Sequence, residues 1–178
     1  MGSWPLPAEG THHAALERRF TGIETARVLV IDDEPLILST LSAFLELEGY
    51  GEVSCFECGT AALEHFAQHG ADVILCDYLM PGLDGVEVLA RARELDPRVP
   101  RILLTGYADK EAAIRAINEA GLFQYLEKPW SNDDLQLALR NALERHRLLS
   151  CIGSKAAELN IANARIEDLQ RAVLRAFL

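Results

Sequence analysis

Residues 72–82 read DVILCDYLMPG, so an apolar run of strand length ends in a carboxylate, that of Asp77, and a Met-Pro-Gly turn follows at once. Three further apolar runs in the chain also end in polar residues. They run into Asp32 and Asp33, into Thr105 and Gly106, and into Glu127 and Lys128. Because parallel strands end at the same edge of a sheet, we expect these side chains to line one crevice.

Strand-like and helix-like segments alternate from residue 27 onward, a pattern that predicts a doubly wound α/β sheet of five parallel strands. The expected strands cover 27–32, 52–55, 72–77, 100–105 and 122–126, and the expected helices cover 36–48, 59–68, 84–95, 109–120 and a segment that opens near Ser131. Ser131 is a candidate N-cap, because a serine hydroxyl accepts a hydrogen bond from the first turn of a helix. Residues 1–25 contain prolines and glycines without a sustained period, and we expect a loose leader there.

Composition limits the classes of protein to consider. With 178 residues, 49% of them hydrophobic, the chain can bury one core and carry an appendage. No apolar run approaches the roughly 18 residues of a membrane span and the N-terminus lacks a secretory pattern, so we expect a cytoplasmic protein without membrane contact. Four cysteines, one inside a predicted strand, fit a reducing compartment. The formal charge of -10 argues against direct nucleic-acid binding by this chain.

Five pieces of sequence at the predicted strand ends occur in a familiar order. Asp32-Asp33, Asp77, Met80-Pro81-Gly82, Thr105-Gly106 and Lys128-Pro129 resemble the receiver domain of bacterial two-component response regulators. The resemblance spans roughly residues 26–147. It implies a flavodoxin-like sheet with strand order 2-1-3-4-5. It also implies a signalling switch that is not itself an enzyme and that receives a phosphoryl group from a sensor histidine kinase or a phosphotransfer protein.

The resemblance also implies roles for individual residues. Asp77 is the expected phosphoacceptor, Thr105 and Lys128 are expected to bind the phosphoryl group, and the Lys128–Pro129 bond is expected to be cis. Thr105 and Tyr125 are the expected switch pair. Three carboxylates in one crevice repel one another unless a cation neutralises them, so a hard divalent ion is expected. The expected ligands of Mg²⁺ are Asp32, Asp33, Asp77 and the backbone carbonyl of Leu79.

Simpler interpretations compete with these roles. An Asp-Asp pair after a strand often only caps a helix, and Tyr125 could be an ordinary core residue. The whole chain could instead be a dimerisation scaffold that works without phosphorylation, or the regulatory fragment of a cyclic-di-GMP or transcriptional output protein. Leu79 and Tyr107 lie where polar side chains could orient a hydrolytic water, so we expect a persistent phosphoryl group.

Three other motifs carry less weight. Cys55-Phe-Glu-Cys58 has the spacing of a redox or zinc motif, but no second pair follows it. His65 and His69 share a helix face without the glutamate of a zinc-protease motif between them. A phosphatase of the haloacid dehalogenase type would need a carboxylate two residues after its nucleophile, where this chain has Leu79.

Residues 148–178 form the expected appendage. Apolar residues at three- and four-residue spacing continue past the last helix of the domain, among them Leu149, Ile152, Leu159 and Ile166. This pattern predicts a helical extension that forms a parallel homodimeric coiled coil or links to an output domain. Gly153 with Ser154 weakens the predicted helix, and the stripe slips near residues 162–163, so a continuous helix and a bent or broken one both stay open. An antiparallel hairpin packed on the domain is the alternative.

Overall fold

The computed structural model describes residues 23–106 and 115–176. Its five strands form one parallel sheet with the order β2-β1-β3-β4-β5, which confirms the predicted doubly wound fold. The strands are β1 (Arg27–Ile31), β2 (Glu52–Phe56), β3 (Val73–Asp77), β4 (Arg101–Gly106) and β5 (Gln124–Lys128).

Helices connect the strands and cover both faces of the sheet. They are α1 (Pro35–Leu47), α2 (Gly59–His69), α3 (Gly85–Leu95) and the C-terminal helix (Asn132–Ala176), with a 3₁₀ turn at Ile23–Thr25 and a π-helical segment at Ala116–Ala120. The first half of the predicted helix 109–120 lies outside the described residues, and its second half contains the π-helical segment.

The last strand begins two residues later than the sequence predicts. The physical reason is the buried guanidinium of Arg101, which donates to the carbonyl oxygens of Ala120 at 2.9 Å and Gly121 at 3.1 Å. These bonds hold the chain in a loop before β5 begins at Gln124. Burial lowers the pKa of Arg101 to about 10.

Alternating side chains of the central strands supply two separate cores. Val28 and Val30 face α1 and the C-terminal helix, whereas Leu29 and Ile31 face α2 and α3. Because β1 and its neighbours are covered on both faces, their sequences are continuously apolar and do not alternate with polar residues. The polar residues that follow these strands are therefore brought out together at one edge of the sheet.

Local capping explains where two helices begin. Asp84 and Glu87 form a capping box at the start of α3, in which each side chain accepts a hydrogen bond from the backbone of the other residue. Ser131 caps the C-terminal helix as predicted, since its Oγ accepts a bond from the backbone N–H of Asp134 at 3.1 Å. Asp133 and Asp134 in the first turn favour the same start through the helix dipole.

The C-terminal helix is far longer than the domain needs. It has 45 residues and is therefore about 68 Å long. Its first turns pack on the sheet through buried side chains, those of Leu135, Ala138, Leu139, Ala142 and Leu143. From Cys151 to Glu167 every residue is exposed. The helix continues through Gly153 without a break, so the hairpin alternative is wrong. Among the described residues, no helix combines the length and apolarity required to cross a membrane.

Candidate functional site

The three aspartates predicted from the strand ends come together at the carboxyl edge of the sheet. Asp32 and Asp77 are buried and Asp33 is half-buried, and one carboxylate oxygen from each lies within 4.8 Å of the others. The cause is the sheet register, since Ile31 of β1 pairs with Cys76 of β3. The chain crosses to opposite sides of β1 to form β2 and β3, so this edge is the topological switch point where α/β sheets bind ligands.

Backbone hydrogen bonds fix the loops that carry these carboxylates. The N–H of Asp32 donates to the carbonyl of Phe56 at 3.1 Å, and the Oδ1 of Asp32 accepts from the N–H of Glu34 at 2.9 Å. After β3, the N–H of Tyr78 donates to the carbonyl of Leu104 at 2.8 Å. Hydrogen bonds of the backbone therefore fix the loops that position Asp32 and Asp77.

Gly85, at the start of α3, permits the close approach of this helix to β3. A Cβ atom at residue 85 would lie 2.1 Å from the carbonyl oxygen of Asp77, far inside van der Waals contact. The backbone N–H of Gly85 donates to the carbonyl of Tyr78 at 2.9 Å. Sequence reasoning missed this residue. The available signal was a glycine, a weak helix former, directly after the capping residue Asp84.

Lys128 extends from the end of β5 into the acidic group. Its Nζ lies 2.5 Å from Asp77 Oδ1 and 2.9 Å from Asp32 Oδ2, and the Lys128–Pro129 peptide bond is cis. Because β4 separates β5 from β3, the long lysine side chain is what bridges the distance between them. One ammonium group thus contacts two buried carboxylates from different strands.

The electrostatics of the group follow from burial and pairing. Burial raises the pKa of Asp77, although the hydrogen bond from Lys128 opposes the shift. Burial alone would lower the pKa of Lys128, but its hydrogen bonds to Asp77 and Asp32 outweigh that effect and raise it. Three carboxylates against one ammonium leave excess negative charge in the crevice. An all-oxygen donor set with excess negative charge fits Mg²⁺.

The other predicted site residues lie around the acidic group. Thr105 is buried at the end of β4, and its hydroxyl donates to the carbonyl of Gly106 at 3.1 Å. The side chain of Leu79 is 65% exposed, and its backbone N–H donates to the Asp77 carboxylate. Residue 107 lies outside the described residues.

Tyr125 is 50% exposed on the edge strand β5, so the interpretation of it as a core residue is wrong. It lines a cavity of about 410 Å³ together with residues of β5 and of the C-terminal helix, among them Trp130 and Leu137. Lys128 also lines this cavity and belongs to the acidic crevice as well. Tyr125 therefore lies on a surface that is continuous with the site.

The family model of the response regulator receiver domain matches residues 28–140. The chain belongs to this family. Receiver domains are signalling domains of two-component response regulators, and the described sheet agrees with their fold in strand order and in the position of the acidic residues.

Two curated relatives share the receiver domain. The regulatory protein AtoC of Escherichia coli K12 is 39% identical over 118 residues, which are 66% of this chain and 25% of that protein. The hydrogenase transcriptional regulatory protein HoxA of Cupriavidus necator is 41% identical over 123 residues, which are 69% of this chain and 25% of that protein. The chain therefore spans about a quarter of the length of these relatives when its aligned part is counted.

Solved structures give the same answer for the fold. A response regulator receiver domain from Clostridium thermocellum is 39% identical with a TM-score of 0.66, and the match covers 70% of this chain and 98% of that one. The signal receiver domain of an HD domain-containing protein from Pseudomonas fluorescens Pf-5 is 35% identical with a TM-score of 0.66, over 69% of this chain and 98% of that one.

A second polar network lies at the opposite edge of the receiver domain. Asp72 accepts hydrogen bonds from the backbone N–H of Arg27 at 2.8 Å and from its guanidinium at 3.2 Å, and His146 Nε2 lies 3.4 Å from Asp72 Oδ1. The network joins the start of β1, the loop before β3 and the C-terminal helix. No local sequence signal pointed to it, because its members are far apart in the chain.

Proposed function

We propose that Asp77 accepts a phosphoryl group from a phosphohistidine of a sensor kinase or phosphotransfer protein, and that this modification switches the state of the chain. The observation that carries the proposal is the contact of one half-buried ammonium, that of Lys128, with the carboxylates of Asp77 and Asp32 beside Asp33. Positioning and charge neutralisation are the main requirements of phosphoryl transfer, and this group of side chains supplies both.

The roles of the side chains follow from their contacts. Asp77 Oδ1 is held by Lys128, and the carboxylate attacks the phosphorus atom while the phosphorus–nitrogen bond of the donor breaks. The donor imidazole leaves with the electron pair and takes up a proton from solvent. Lys128 then balances charge on the phosphoryl oxygens, and its second contact with Asp32 keeps the ammonium in place.

Asp32, Asp33, Asp77 and the backbone carbonyl of Leu79 are the proposed holders of Mg²⁺. When bound, the ion would neutralise the carboxylates and the incoming phosphoryl oxygens. The support for this assignment is the set of carboxylate oxygens within 4.8 Å of one another and the burial of two of the three residues.

The proposed switch connects the crevice to the surface near residues 106–127. The Thr105 hydroxyl bonds only a neighbouring carbonyl among the described contacts, so it can turn toward a phosphoryl oxygen. Its displacement would open space beside β4 for the Tyr125 ring, which now lies half-exposed on β5. A local change in charge would thereby change the shape of the surface around the edge strand.

The test is phosphorylation of the purified chain by a small phosphodonor in the presence of Mg²⁺, read by intact-protein and peptide mass spectrometry. We expect one phosphoryl group on Asp77 in the wild type and none in Asp77→Asn. Asp72→Asn is the matched control, because it removes another partly buried aspartate at the opposite edge. Unlabelled wild-type protein, or equal labelling of Asp77→Asn, would contradict the proposal.

One observation favours a second candidate, a dimerisation scaffold that ignores phosphorylation. From Cys151 to Glu167 the C-terminal helix is exposed throughout, and association of two chains would cover this surface. Sedimentation and tyrosine fluorescence, each measured with and without beryllofluoride and Mg²⁺, separate the two candidates. Only a switch should change its association or the fluorescence of Tyr125 when these ligands are added. The name of the HoxA relative, a transcriptional regulatory protein, favours transcription over cyclic-di-GMP turnover as the process under control. We expect the sensor kinase that phosphorylates the chain to do so in the cytoplasm.

A further inference from the structure

The C-terminal helix exposes a row of large apolar side chains. Ile152 is 65% exposed, Leu159 is 63% exposed and Ile166 is 52% exposed. These residues are spaced by sevens. Leu149 precedes the first of them by three residues and Ala156 follows it by four, which are the alternating steps of a heptad. From Ile152 onward, this apolar stripe of the helix is open to solvent.

The stripe lies on a part of the helix that the domain does not support. His146 still contacts the domain through Asp72 and the carbonyl of Arg98, whereas every residue from Cys151 to Glu167 is exposed. Helices without tertiary packing are marginal in water, because most helix stability in proteins comes from burial of an apolar face. A helix that extends this far requires a partner along the stripe.

We propose that a second copy of this chain covers the stripe in a parallel, two-stranded coiled coil. Its seam consists of six residues on each helix, namely Leu149, Ile152, Ala156, Leu159, Asn163 and Ile166. Leu149, Ala156 and Asn163 occupy the a positions, and Ile152, Leu159 and Ile166 occupy the d positions. No residue of this seam is charged.

Asn163 selects a second copy in parallel orientation. In a parallel pair in register, Asn163 meets Asn163 of the other copy, and the two amides can hydrogen-bond across the seam. In an antiparallel pair of the same residues, Asn163 would face Ile152 and its amide would be buried without a partner, which is costly. A single asparagine at an a position is a known means of fixing register and the number of strands.

The side chains that flank the seam permit the same pairing. In the parallel arrangement Lys155 at a g position faces Asn160 at the following e position of the other copy. Ala162 likewise faces Glu167. Like charges therefore do not face each other along the seam, and Lys155 already pairs with Glu158 of its own helix at 2.9 Å. The coiled coil begins at the half-buried Leu149, about one turn after His146 contacts Asp72, and continues into the part of the helix that is exposed from Cys151 onward.

The first experiment measures the mass of the full chain by sedimentation equilibrium. We expect a dimer for the wild type and for Ile161→Asp, and we expect Leu159→Asp to weaken the dimer by more than about a hundredfold, since it buries an unpaired carboxylate. Ile161 is the matched control because it is 58% exposed on the same helix but outside the seam. A monomeric wild type, or equal dissociation of both variants, would overturn the proposal.

Orientation is tested by disulfide cross-linking. In a Cys151→Ser background, Ala156→Cys places a thiol opposite its own copy in the parallel seam, whereas Ile161→Cys places it on the outer face. We expect rapid formation of a covalent dimer only for the former. Equal rates for the two variants, or no cross-link in Ala156→Cys, would overturn the parallel arrangement.

The proposed coiled coil does not depend on phosphorylation of Asp77. Asp77 labelling, measured on the same samples, reports whether the domain is folded and whether the proposed function holds. A Leu159→Asp monomer that is still labelled separates loss of the dimer from loss of the fold. A wild-type dimer without a phosphoryl group on Asp77 would contradict the proposed function but would not contradict the proposed coiled coil.

Discussion

At the scale of single residues, Lys128 is the side chain on which the charge balance of the acidic crevice depends most. Its ammonium contacts Asp32, which is fully buried, and Asp77. We predict that Lys128→Met lowers the free energy of unfolding by about 3–5 kcal/mol in the absence of divalent ions, because a buried charge loses its partner. Mg²⁺ should recover part of the loss, since it supplies positive charge to the same carboxylates.

Urea denaturation with and without Mg²⁺ measures this effect. Lys155→Met is the control, because the Lys155–Glu158 pair is exposed and should contribute less than about 1 kcal/mol. Equal stability losses in the two variants would mean that the contacts of Lys128 are energetically unimportant.

Leu79 is the residue that we expect to set the lifetime of the phosphoryl group. Its side chain is 65% exposed two residues after Asp77 and cannot hydrogen-bond a water molecule. We predict that Leu79→Asn shortens the lifetime about tenfold, equivalent to roughly 1.4 kcal/mol of barrier, because an amide can orient the attacking water. Decay of the phosphorylated protein gives the rate. Leu95→Asn, at an exposed leucine far from the crevice, is the control, and unchanged or slower decay in Leu79→Asn counts against the prediction.

At the scale of elements, α3 and β3 approach so closely that only glycine fits between them. A side chain at residue 85 would meet the carbonyl of Asp77, a backbone atom that cannot move without shifting the phosphoacceptor. We predict that Gly85→Ala destabilises the fold by about 3 kcal/mol or more and slows Asp77 labelling, because the overlap can be relieved only by moving backbone.

Gly153→Ala is the matched control for this substitution. Within the described part of the chain, nothing lies within 4 Å of a Cβ at Gly153, in the middle of the C-terminal helix. Alanine there should stabilise the helix by about 1 kcal/mol. Thermal unfolding followed by circular dichroism compares the two variants, and a mild effect of Gly85→Ala would show that α3 can shift away from β3.

The network around Asp72 ties the C-terminal helix to the base of the sheet. Burial of Asp72 is outweighed by its hydrogen bonds from His146 and Arg27, so the pKa of Asp72 lies below its usual value of 3.8. A depressed pKa of an acid stabilises the fold above the unfolded-state value, and that stability is lost as the pH falls below about 4.

We therefore predict that Asp72→Asn costs about 1–3 kcal/mol at pH 7, because its partners lose a charged acceptor. The difference from the wild type should shrink as the pH falls from about 4 toward 2. Urea unfolding across this range measures it. A difference that stays constant with pH would mean that the carboxylate charge of Asp72 does not contribute.

The sequence was sufficient to locate β1 to β4 to within a residue or two, because their apolar runs and polar ends are local features. It also brought Asp32, Asp33 and Asp77 together, since parallel strands share an edge. Three properties depend on tertiary contacts and were not visible in the sequence. They are the delayed start of β5 caused by Arg101, the close approach at Gly85 and the contact between Asp72 and His146.

At the scale of the whole molecule, the structure is a domain whose last helix continues beyond it, and residues 151–167 of that helix contribute nothing to the core. Residues 151–167 are exposed throughout, whereas Leu135 to Leu143 of the same helix supply core side chains. We predict that a chain ending at Ser150 keeps the unfolding free energy of the domain to within about 0.5 kcal/mol, since exposed surface residues rarely contribute more. Fluorescence of Trp130 during urea unfolding measures it. A larger loss would show that the extension stabilises the domain directly.

The path of the C-terminal helix sets how two joined copies would be arranged. The helix starts beside Lys128 and Pro129, runs the full depth of the sheet and emerges past Asp72 at the far side. In a dimer joined through this helix, the acidic crevice of each domain would thus lie at the end of the domain that is farthest from the coiled coil. A phosphodonor protein would therefore have access to the crevice of either copy. A change at Asp77 would have to be transmitted along the C-terminal helix to reach the coiled coil.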